Sequence, residues 1–238
     1  MGMGVFAVIG AAGGIGSAVA RRLRTRGFAV RLIGRKEERL AQLASEIGAT
    51  YAVADATRVV ELEAVLGANL LGLVNCAGSL LLKPCHLTTE AEWEQVIATN
   101  LTTAYATVRA GAKAMMATGG SIVLCSTAAA RTGMANHEAI AAAKGGVMGL
   151  ALSAAATYAP RRIRVNCVAP GLVDTPLAAR ITGNPAALQA SAAMHPLGRI
   201  GTAEDVASGI VWLLDPENSW VTGQVLGIDG GLGTVRPR

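Results

Sequence analysis

Four glycines lie close together near the start of the chain, between a short apolar run, Val5–Ile9, and a helical pattern that begins near Ile15. They are Gly10, Gly13, Gly14 and Gly16. A phosphate group at a helix N-terminus meets free N–H groups and the positive end of the helix dipole, and glycine leaves its approach open. A glycine-rich loop with a strand before it and a helix after it therefore predicts a nucleotide-phosphate site.

The elements that position this loop alternate between strand and helix along the chain. The predicted strands are Val5–Ile9, Phe28–Ile33, Thr50–Ala54, Leu70–Asn75, Ser121–Cys125, Arg162–Val168 and Val225–Ile228. Two of the intervening helices start with the pattern of a capping box, at Thr89 and Thr202. This alternation predicts a single-domain, doubly wound α/β fold, in which helices cover both faces of a parallel sheet of about seven strands. We expect that one domain to span residues 1–238.

One segment interrupts the alternation where ligands are expected, beside the carboxyl ends of the strands. Residues 176–200 contain the helix-breaking and turn-forming residues Pro176, Gly183, Asn184, Pro185, Pro196 and Gly198. Irregular segments beside a binding cleft are often mobile, so we predict a substrate lid here.

The composition argues against several classes of protein. Hydrophobic residues make up 52% of the chain, but much of that fraction is alanine. No charge-free run of about 18 strongly apolar residues predicts a membrane span. The first residues lack the basic segment of a signal peptide, so we expect a cytoplasmic protein. The net charge of +5 favours an anionic ligand, whereas scattered basic residues and 3% aromatic residues argue against nucleic-acid binding.

The four cysteines are Cys76, Cys85, Cys125 and Cys167. They form no CxxC pair, so we expect free thiols and no metal site. Three of them fall near the carboxyl ends of neighbouring predicted strands. Adjacent positions at strand ends often point to opposite faces of the sheet, so we predict separate packing roles rather than a thiol cluster.

Further segments, in chain order, resemble the short-chain dehydrogenase/reductase family over nearly all of the sequence. Besides the glycine loop they are Asp55 in ADAT, Asn75-Cys76-Ala77-Gly78, Asn100 in ATNL, Lys144 in AAAKGG, Pro170-Gly171 with Thr175-Pro176, Gly223-Gln224 and Asp229-Gly230-Gly231. Ile9 and Cys76 stand where the family usually has threonine and asparagine. The resemblance implies a doubly wound fold, an NAD(P)-dependent enzyme and a small-molecule substrate.

The resemblance also implies roles for individual residues. Asn100 and Lys144 correspond to the asparagine and the lysine of the catalytic tetrad. The implied cofactor-binding residues are Gly10, Gly13, Gly14, Ile15, Gly16, Gly34, Arg35, Asp55, Ala56, Asn75, Ala77, Gly78, Lys144, Pro170, Gly171, Val173 and Thr175.

The end of the second strand bears on the choice between NADP(H) and NAD(H). An acidic residue at this position binds the ribose 2′-hydroxyl and repels a 2′-phosphate. This chain has Gly34 and Arg35 instead. Glycine leaves room, and arginine can bind a phosphate with two parallel hydrogen bonds, so we predict a preference for NADP(H). The alternative is that Arg35 only begins a solvated helix.

The sequence departs from the family at the proton donor. The family has its catalytic tyrosine four residues before the lysine and its serine thirteen residues before the tyrosine; Ile140 and Thr127 occupy these positions, with Ser126 beside Thr127. Isoleucine cannot donate a proton, and losing a general acid costs about 10²–10⁴ in rate. His137, one turn upstream of Ile140, is a candidate replacement because histidine is the residue type suited to proton transfer near neutral pH, or else it is a loop histidine without a role.

We therefore predict an NADP(H)-dependent oxidoreductase with an atypical active site, which moves hydride between the nicotinamide and a small hydrophobic carbonyl, alcohol or imine. The segments expected to wall the substrate site, 79–88, 128–137 and 176–200, are mostly small or apolar. An iminium accepts hydride without an enzymic acid and so suits a site that lacks the tyrosine. The alternative is a cofactor-binding protein of this family that is a non-redox cyclase or isomerase, a sensor or a pseudoenzyme.

The sequence also predicts self-association. Small residues are frequent in the helices predicted over residues 101–117 and 138–158. A helix that is apolar all round is usually buried on all sides, so we expect these helices to pair with their copies across a two-fold axis. Replacing Ala151 or Ala155 with arginine should then dissociate the oligomer if either residue lies at the contact. The resemblance adds a second axis near Val225–Ile228, which gives a homotetramer; a homodimer and a merely solvated alanine surface are the alternatives.

Overall fold

Seven parallel strands form the central sheet of the computed structural model, which describes residues 4–236. The described residues form nine strands in all, of which seven belong to this sheet. They are β1 Val5–Ile9, β2 Ala29–Gly34, β3 Thr50–Val53, β4 Leu70–Asn75, β5 Gly120–Cys125, β6 Ile163–Pro170, β7 Val173–Asp174, β8 Gly201–Thr202 and β9 Val225–Ile228. Their order across the sheet is β3-β2-β1-β4-β5-β6-β9, and the two-residue strands β7 and β8 pair separately. The predicted doubly wound sheet is confirmed, while the prediction about a signal peptide falls partly outside the described residues.

Helices cover both faces of this sheet. They are α1 Gly14–Thr25, α2 Glu37–Ile47, α3 Val59–Leu66, α4 Glu90–Ile97, α5 Thr103–Met115, α6 Glu138–Tyr158, α7 Ala179–Thr182, α8 Pro185–Met194 and α9 Ala203–Leu214. One apolar core lies between the sheet and α1, α2 and α9, and a second lies between the sheet and α3, α5 and α6. Both capping boxes form, with Thr89 paired to Glu92 and Thr202 paired to Asp205.

Local backbone geometry moves several predicted boundaries. Arg162 has a left-handed φ of 58°, so β6 begins one residue later than predicted, and it continues to Pro170. The helix predicted from Leu101 begins with a π-helical turn over Ala98–Thr102, and α5 starts only at Thr103. Such π turns are rare and often lie at functional sites.

The helix α6 is apolar along most of its length and belongs to the core. Together with the turn after it, Glu138–Arg161, it has the length and composition of a membrane span. The helix nevertheless packs along the sheet as a core helix and buries Val147, Ala151 and Ala155. These two alanines therefore face the core, so neither is available for a contact between copies; the exposed face carries the residues Ala142, Gly149, Leu152 and Ala156.

The predicted lid is largely helical. The segment contains α7 and α8, and the side chain of Asn184 caps α8 by accepting a hydrogen bond from the N–H of Ala187 at 3.1 Å. Pro185 occupies the first turn of α8, where its missing N–H costs nothing. The prolines and glycines that suggested a loop thus mark the ends of two helices.

Candidate active site

The glycine loop is held tightly by its own backbone. Gly10 has a left-handed φ of 73°, and a Cβ there would lie 2.6 Å from the backbone nitrogen of Ala77. A Cβ at Gly16 would collide with the carbonyl oxygen of Gly10. Gly13 precedes α1 without a side-chain cap, so the first turn of the helix faces the loop with its backbone N–H groups. The loop can therefore receive an anion, as the sequence predicts.

A cavity of about 450 Å³ extends from this loop along the carboxyl ends of β1 to β4. Its wall includes the predicted cofactor-binding residues Gly10, Gly13, Gly34, Arg35, Asp55, Ala56, Ala77 and Gly78. The wall also contains Lys36 and Arg39, which the sequence analysis missed. Arg39 lies four residues after Arg35, in the first turn of α2, a spacing that could have indicated a shared site.

Asp55 closes the cavity beside these cations. Its carboxylate accepts hydrogen bonds from the backbone N–H and the hydroxyl of Thr57, both at 2.9 Å. The N–H bond of Thr57 is the main reason that the pKa of Asp55 lies below its ordinary value, and the charge of Arg35 acts in the same direction. A fixed, ionised carboxylate can accept hydrogen bonds from a purine ring.

The remaining predicted cofactor residues lie around this cavity rather than on its wall. Asn75 is buried, and its side-chain oxygen accepts a hydrogen bond from the N–H of Ala77 at 2.9 Å. A Cβ at Gly14 would lie 2.6 Å from the methyl carbon of Thr175. The segment Pro170–Thr175 therefore lies directly against the start of α1, which brings the last predicted segment to the glycine loop.

Asn100 lies in the π turn, where the helix widens beside the end of β4. Its side-chain nitrogen donates to the hydroxyl of Ser79 at 2.9 Å and to the carbonyl of Val96 at 3.0 Å. Its side-chain oxygen accepts from the N–H of Ser79 at 3.1 Å. The amide thus fixes the residues that follow Gly78, at the edge of the cavity.

Lys144 is buried and donates from Nζ to the carbonyl of Cys125 at 2.8 Å. Burial lowers the pKa of its ammonium group, because the charged form loses hydration. Its backbone carbonyl accepts a hydrogen bond from the hydroxyl of Ser126 at 2.8 Å. Ser126 is therefore engaged in holding α6 against β5, and of the two predicted hydroxyls that of Thr127 is the less buried.

Ile140 is 3% exposed and packs in an apolar cluster with Val96, Ala139 and Ala143. No proton donor stands at this position. Thr127 lies at the carboxyl end of β5, and its hydroxyl oxygen accepts from the N–H of Ala129 at 3.3 Å. The position of the family's tyrosine is therefore occupied by a buried apolar side chain.

His137 precedes α6 and is half-buried. Its Nδ1 lies 2.7 Å from the carbonyl oxygen of Ala135, so in the neutral ring Nδ1 carries the hydrogen and Nε2 has the lone pair. In this tautomer the ring can accept a proton at Nε2, and it can donate one from that atom only after protonation.

His195 lies at the carboxyl end of α8 and links it to another segment of the chain. It is almost fully buried, its Nδ1 lies 2.7 Å from the carbonyl oxygen of Ser191, and its Nε2 accepts a hydrogen bond from the N–H of Leu172 at 3.2 Å. A Cβ on Gly171 would collide with the ring, so Gly171 makes room for it. The histidine thus ties the end of α8 to the segment that follows β6.

The prediction about the cysteines is wrong for one pair. Cys76 and Cys125 point to the same face of the sheet, because both pack against the core under α1 and α9, whereas Cys167 lies in the other core. The proximity of the Cys76 and Cys125 thiols raises the pKa of Cys76 and lowers the pKa of Cys125. Among the described residues no cluster of metal-ligating side chains occurs.

A second, larger cavity of about 590 Å³ lies at the opposite edge of the sheet. It opens at the amino ends of β4, β5 and β6, beside Leu71, Gly120 and Ile163, and includes Trp220, which is 98% exposed. Ligands of open parallel sheets bind at the carboxyl ends of the strands, so we assign the active site to the smaller cavity.

Comparisons with known proteins match nearly the whole chain. The family model described as enoyl-(acyl carrier protein) reductase matches residues 10–233. The chain is 38% identical to cis-4-hydroxycyclohexanecarboxylate dehydrogenase of Sinomonas cyclohexanicum, with 97% of each protein covered. It is 35% identical to the L-tagatose-forming galactitol 2-dehydrogenase of Cereibacter sphaeroides, over 94% of this chain and 93% of that protein.

Two solved structures superpose closely. A short-chain type dehydrogenase/reductase from Mycobacterium ulcerans has a TM-score of 0.92 at 31% identity and covers 98% of this chain and 90% of its own. An actinorhodin polyketide ketoreductase variant with NADPH has a TM-score of 0.91 at 30% identity, with 98% of both chains covered.

Fold, glycine loop and relatives together define an oxidoreductase that uses a nicotinamide cofactor. The chain belongs to the short-chain dehydrogenase/reductase family. The predicted family, fold and enzyme class are confirmed, whereas the roles of individual site residues stay predictions.

Proposed function

We propose that the protein is an NADP(H)-dependent oxidoreductase that transfers hydride between the nicotinamide and a small hydrophobic carbonyl, alcohol or imine. The observation that carries the proposal is the charge of the adenosine end of the cavity. Arg35, Lys36 and Arg39 line it, and Gly34 occupies the position where an acidic residue would repel a 2′-phosphate. A Cβ at Gly34 would meet only the side chain of Leu40, at 3.6 Å, so the position is open.

The residues present fit a dinucleotide. The glycine loop and the start of α1 would hold the pyrophosphate, Asp55 the adenine, and Lys144 the ribose of the nicotinamide. The nicotinamide supplies or accepts the hydride when it is bound. The chain's own part is to orient it and to wall the substrate side with apolar residues, among them Leu80, Leu82, Leu177 and Met194, all partly exposed.

The proton is the distinctive problem of this site. A ketone that receives hydride becomes an alkoxide and needs a proton, which Ile140 cannot give. The hydroxyl of Thr127 can hydrogen-bond a carbonyl but is a poor acid, and His137 would donate only in its protonated state. An iminium already carries its proton and becomes a neutral amine on hydride transfer. The apolar proton-donor position therefore favours an imine over a ketone.

A matched pair of substrates tests this preference. With NADPH we expect turnover of a cyclic imine such as 2,3,4,5-tetrahydropyridine, and turnover of cyclohexanone slower by about 10²–10⁴ because it lacks a general acid. Equal rates for the two would contradict the proposal. For the cofactor, titration of tryptophan fluorescence should give a lower Kd for NADPH than for NADH, and the reverse order would refute the assignment of Arg35.

The burial of Ile140 also supports a second candidate, in which the protein binds the cofactor without a redox reaction. It would then be a cyclase or isomerase, or a sensor or pseudoenzyme of the family. Single-turnover measurements separate the two candidates. Tight NADPH binding without oxidation of NADPH across ketones, aldehydes and imines would favour the non-redox protein, whereas consumption of one equivalent would exclude it.

We also propose a cytoplasmic homotetramer or homodimer, assembled through α5 and α6. The exposed face of α6 carries small and apolar residues, and Leu152 on this face is 51% exposed. Replacing the buried Ala151 or Ala155 would damage the core rather than test an interface. Light scattering should instead give a multiple of 24.2 kDa for the natural protein and a smaller particle for Leu152→Arg. A monomeric natural protein would contradict the proposal.

A further inference from the structure

Cys76 and Cys125 are side by side at the carboxyl edge of the sheet. The parallel pairing of β4 with β5 ends at Asn75 opposite Leu124, so the next residues of the two strands are Cys76 and Cys125. The N–H of Cys76 donates to the carbonyl of Ile9 at 2.9 Å, which keeps its backbone in the plane of the sheet. Adjacent strands lie about 4.8 Å apart, within the Cα separation of about 4.4–6.8 Å that a disulfide requires.

The two side chains leave the sheet on the same face. Successive residues of a strand alternate between faces, and both cysteines share a face with Val74 and Val123 in the core under α1 and α9. Cys167 lies on the opposite face. Both thiols of the pair are free. Backbone separation, strand register and shared face therefore all permit a bond between these two sulfur atoms.

The surroundings make the two thiols chemically unequal. The thiol of Cys76 is the main cause that lowers the pKa of Cys125, and the charge of Lys144 lowers it further, while the pKa of Cys76 is raised. Burial raises the pKa of Cys167 to about 12, so that thiol is inert. Cys125 is thus the nucleophile of the pair, and Cys76 stands ready to attack it in turn.

Cys76 connects the pair to the cofactor cavity. It lines this cavity, whereas Cys125, its neighbour at the end of β5, is not part of the wall; both side chains are half-buried. The backbone of Cys76 and Ala77 also packs directly against Gly10 of the glycine loop. A dinucleotide in the cavity would cover Cys76, whereas an empty cavity leaves it open to small molecules.

We propose that Cys76 and Cys125 form a redox-active dithiol, which a hydroperoxide oxidises to an intramolecular disulfide when the cofactor site is empty. The activity of the enzyme would then depend on whether cofactor or peroxide reaches the site first. The dithiol is a modification site in addition to the proposed function. Only the protection of the dithiol by bound cofactor rests on that proposed function.

The chemistry balances between the two sulfurs and the peroxide. The thiolate of Cys125 attacks one oxygen of the hydroperoxide, the O–O bond breaks, and the other oxygen leaves as an alcohol after taking up a proton. Cys125 becomes a sulfenic acid. The sulfur of Cys76 then attacks the sulfur of Cys125, releasing water and forming the S–S bond. Two thiols lose two electrons in total, and the peroxide is reduced to alcohol and water.

Thiol counting with peptide mapping tests the proposal. The full chain without cofactor is treated with tert-butyl hydroperoxide, denatured and titrated for thiols. We expect two of the four thiols to disappear, with mass spectrometry identifying a Cys76–Cys125 linked peptide, and dithiothreitol to restore both. C76S and C125S should each abolish the linked peptide. C167S and C85S are the controls and should form it as the natural protein does.

Cofactor protection is measured separately. At an NADPH concentration of about 100 times the measured Kd, only about 1% of the protein is free, so oxidation should slow about 100-fold. Four remaining thiols, sulfinic acid at single cysteines, or links between separate chains through Cys85 would overturn the dithiol. If the disulfide forms equally fast with NADPH shown by fluorescence to be bound, the dithiol stands and its control by cofactor is refuted.

Discussion

The cofactor end and the catalytic end of the cleft are built from different parts of the chain. At the cofactor end, backbone contacts set the shape: Gly10 fits against Ala77, and Gly16 fits against Gly10. At the end where the family has its catalytic residues, we expect single side chains to carry the chemistry, and Ile140, at the position of the family's tyrosine, cannot move a proton. A binding surface made from backbone persists through many substitutions, whereas a reaction can change when one side chain changes.

The largest effect should come from restoring the missing acid. Ile140→Tyr places a phenol one helical turn before Lys144, and ketone reduction should rise by about 10²–10⁴ over the natural protein. Steady-state rates with NADPH and cyclohexanone measure it. Ile140→Phe supplies the same ring without the hydroxyl and serves as the control. Equal rates for the two variants would contradict the view that the site is a reductase site whose one missing group is the general acid.

Damage to the backbone at the cofactor end should have the next largest effect. A valine at Gly16 collides with the carbonyl of Gly10, and overpacking of this kind costs about 1–3 kcal/mol, which weakens cofactor binding about 5- to 150-fold. Isothermal titration with NADPH measures the loss, and circular dichroism checks the fold. Gly133→Val is a matched control, because a Cβ at Gly133 meets nothing within 4 Å. Unchanged affinity in Gly16→Val would mean that the loop only packs.

A smaller and more selective effect is expected from Arg35→Asp. The change removes a cation that faces the cavity and adds a charge that repels a 2′-phosphate, so the ratio of the Kd values for NADPH and NADH should invert by about tenfold. The absolute affinity for NADH should stay near its starting value. Arg58→Asp is the control, since Arg58 is exposed and pairs with Glu61 outside the cavity wall. A ratio that moves equally in both variants would point to a general charge effect.

The smallest effect on the reaction is expected from a substitution at His195, which belongs to neither end of the cleft. His195→Ala removes the acceptor of the Leu172 N–H and the partner of the Ser191 carbonyl, so the free energy of unfolding should fall by about 2–4 kcal/mol. Chemical denaturation measures the loss. Cofactor affinity should change only a few-fold. His86→Ala, at an exposed histidine, should leave both quantities unchanged.

The sequence predicts most of the fold because its information is local. The signals for the alternating strands and helices, for the glycine loop and for both capping boxes come from neighbours a few residues apart. Each of these features is present in the structure, within a few residues of its predicted place. The interior of α6 was harder: with alanine on every side, the sequence does not distinguish the buried Ala151 from the exposed Leu152 face. Only packing against the sheet decides it.

Long-range pairing explains what the sequence missed at the site. The side chain of His195 joins two segments by accepting a hydrogen bond from the backbone N–H of Leu172. A backbone partner can belong to any residue type, so the spacing of residues in the sequence does not predict this contact. The adjacency of Cys76 and Cys125 needs the register of β4 against β5, and a shift of one residue would have placed them on opposite faces. Arg39 was missed for a simpler reason: in the sequence it belongs to the charged start of α2, and only the folded chain places it on the cavity wall.

The buried histidine of α8 has a consequence for how substrates enter. His195 holds the carboxyl end of this helix to Leu172, between β6 and β7, while the amino end of the helix follows the short helix α7 and is mostly exposed. Because α8 is fixed at its carboxyl end, we expect any movement of this helix to be largest at its amino end, near Pro185. We therefore expect molecules to pass beneath the α7 end, and bulkier side chains there to slow the release of product more than its formation.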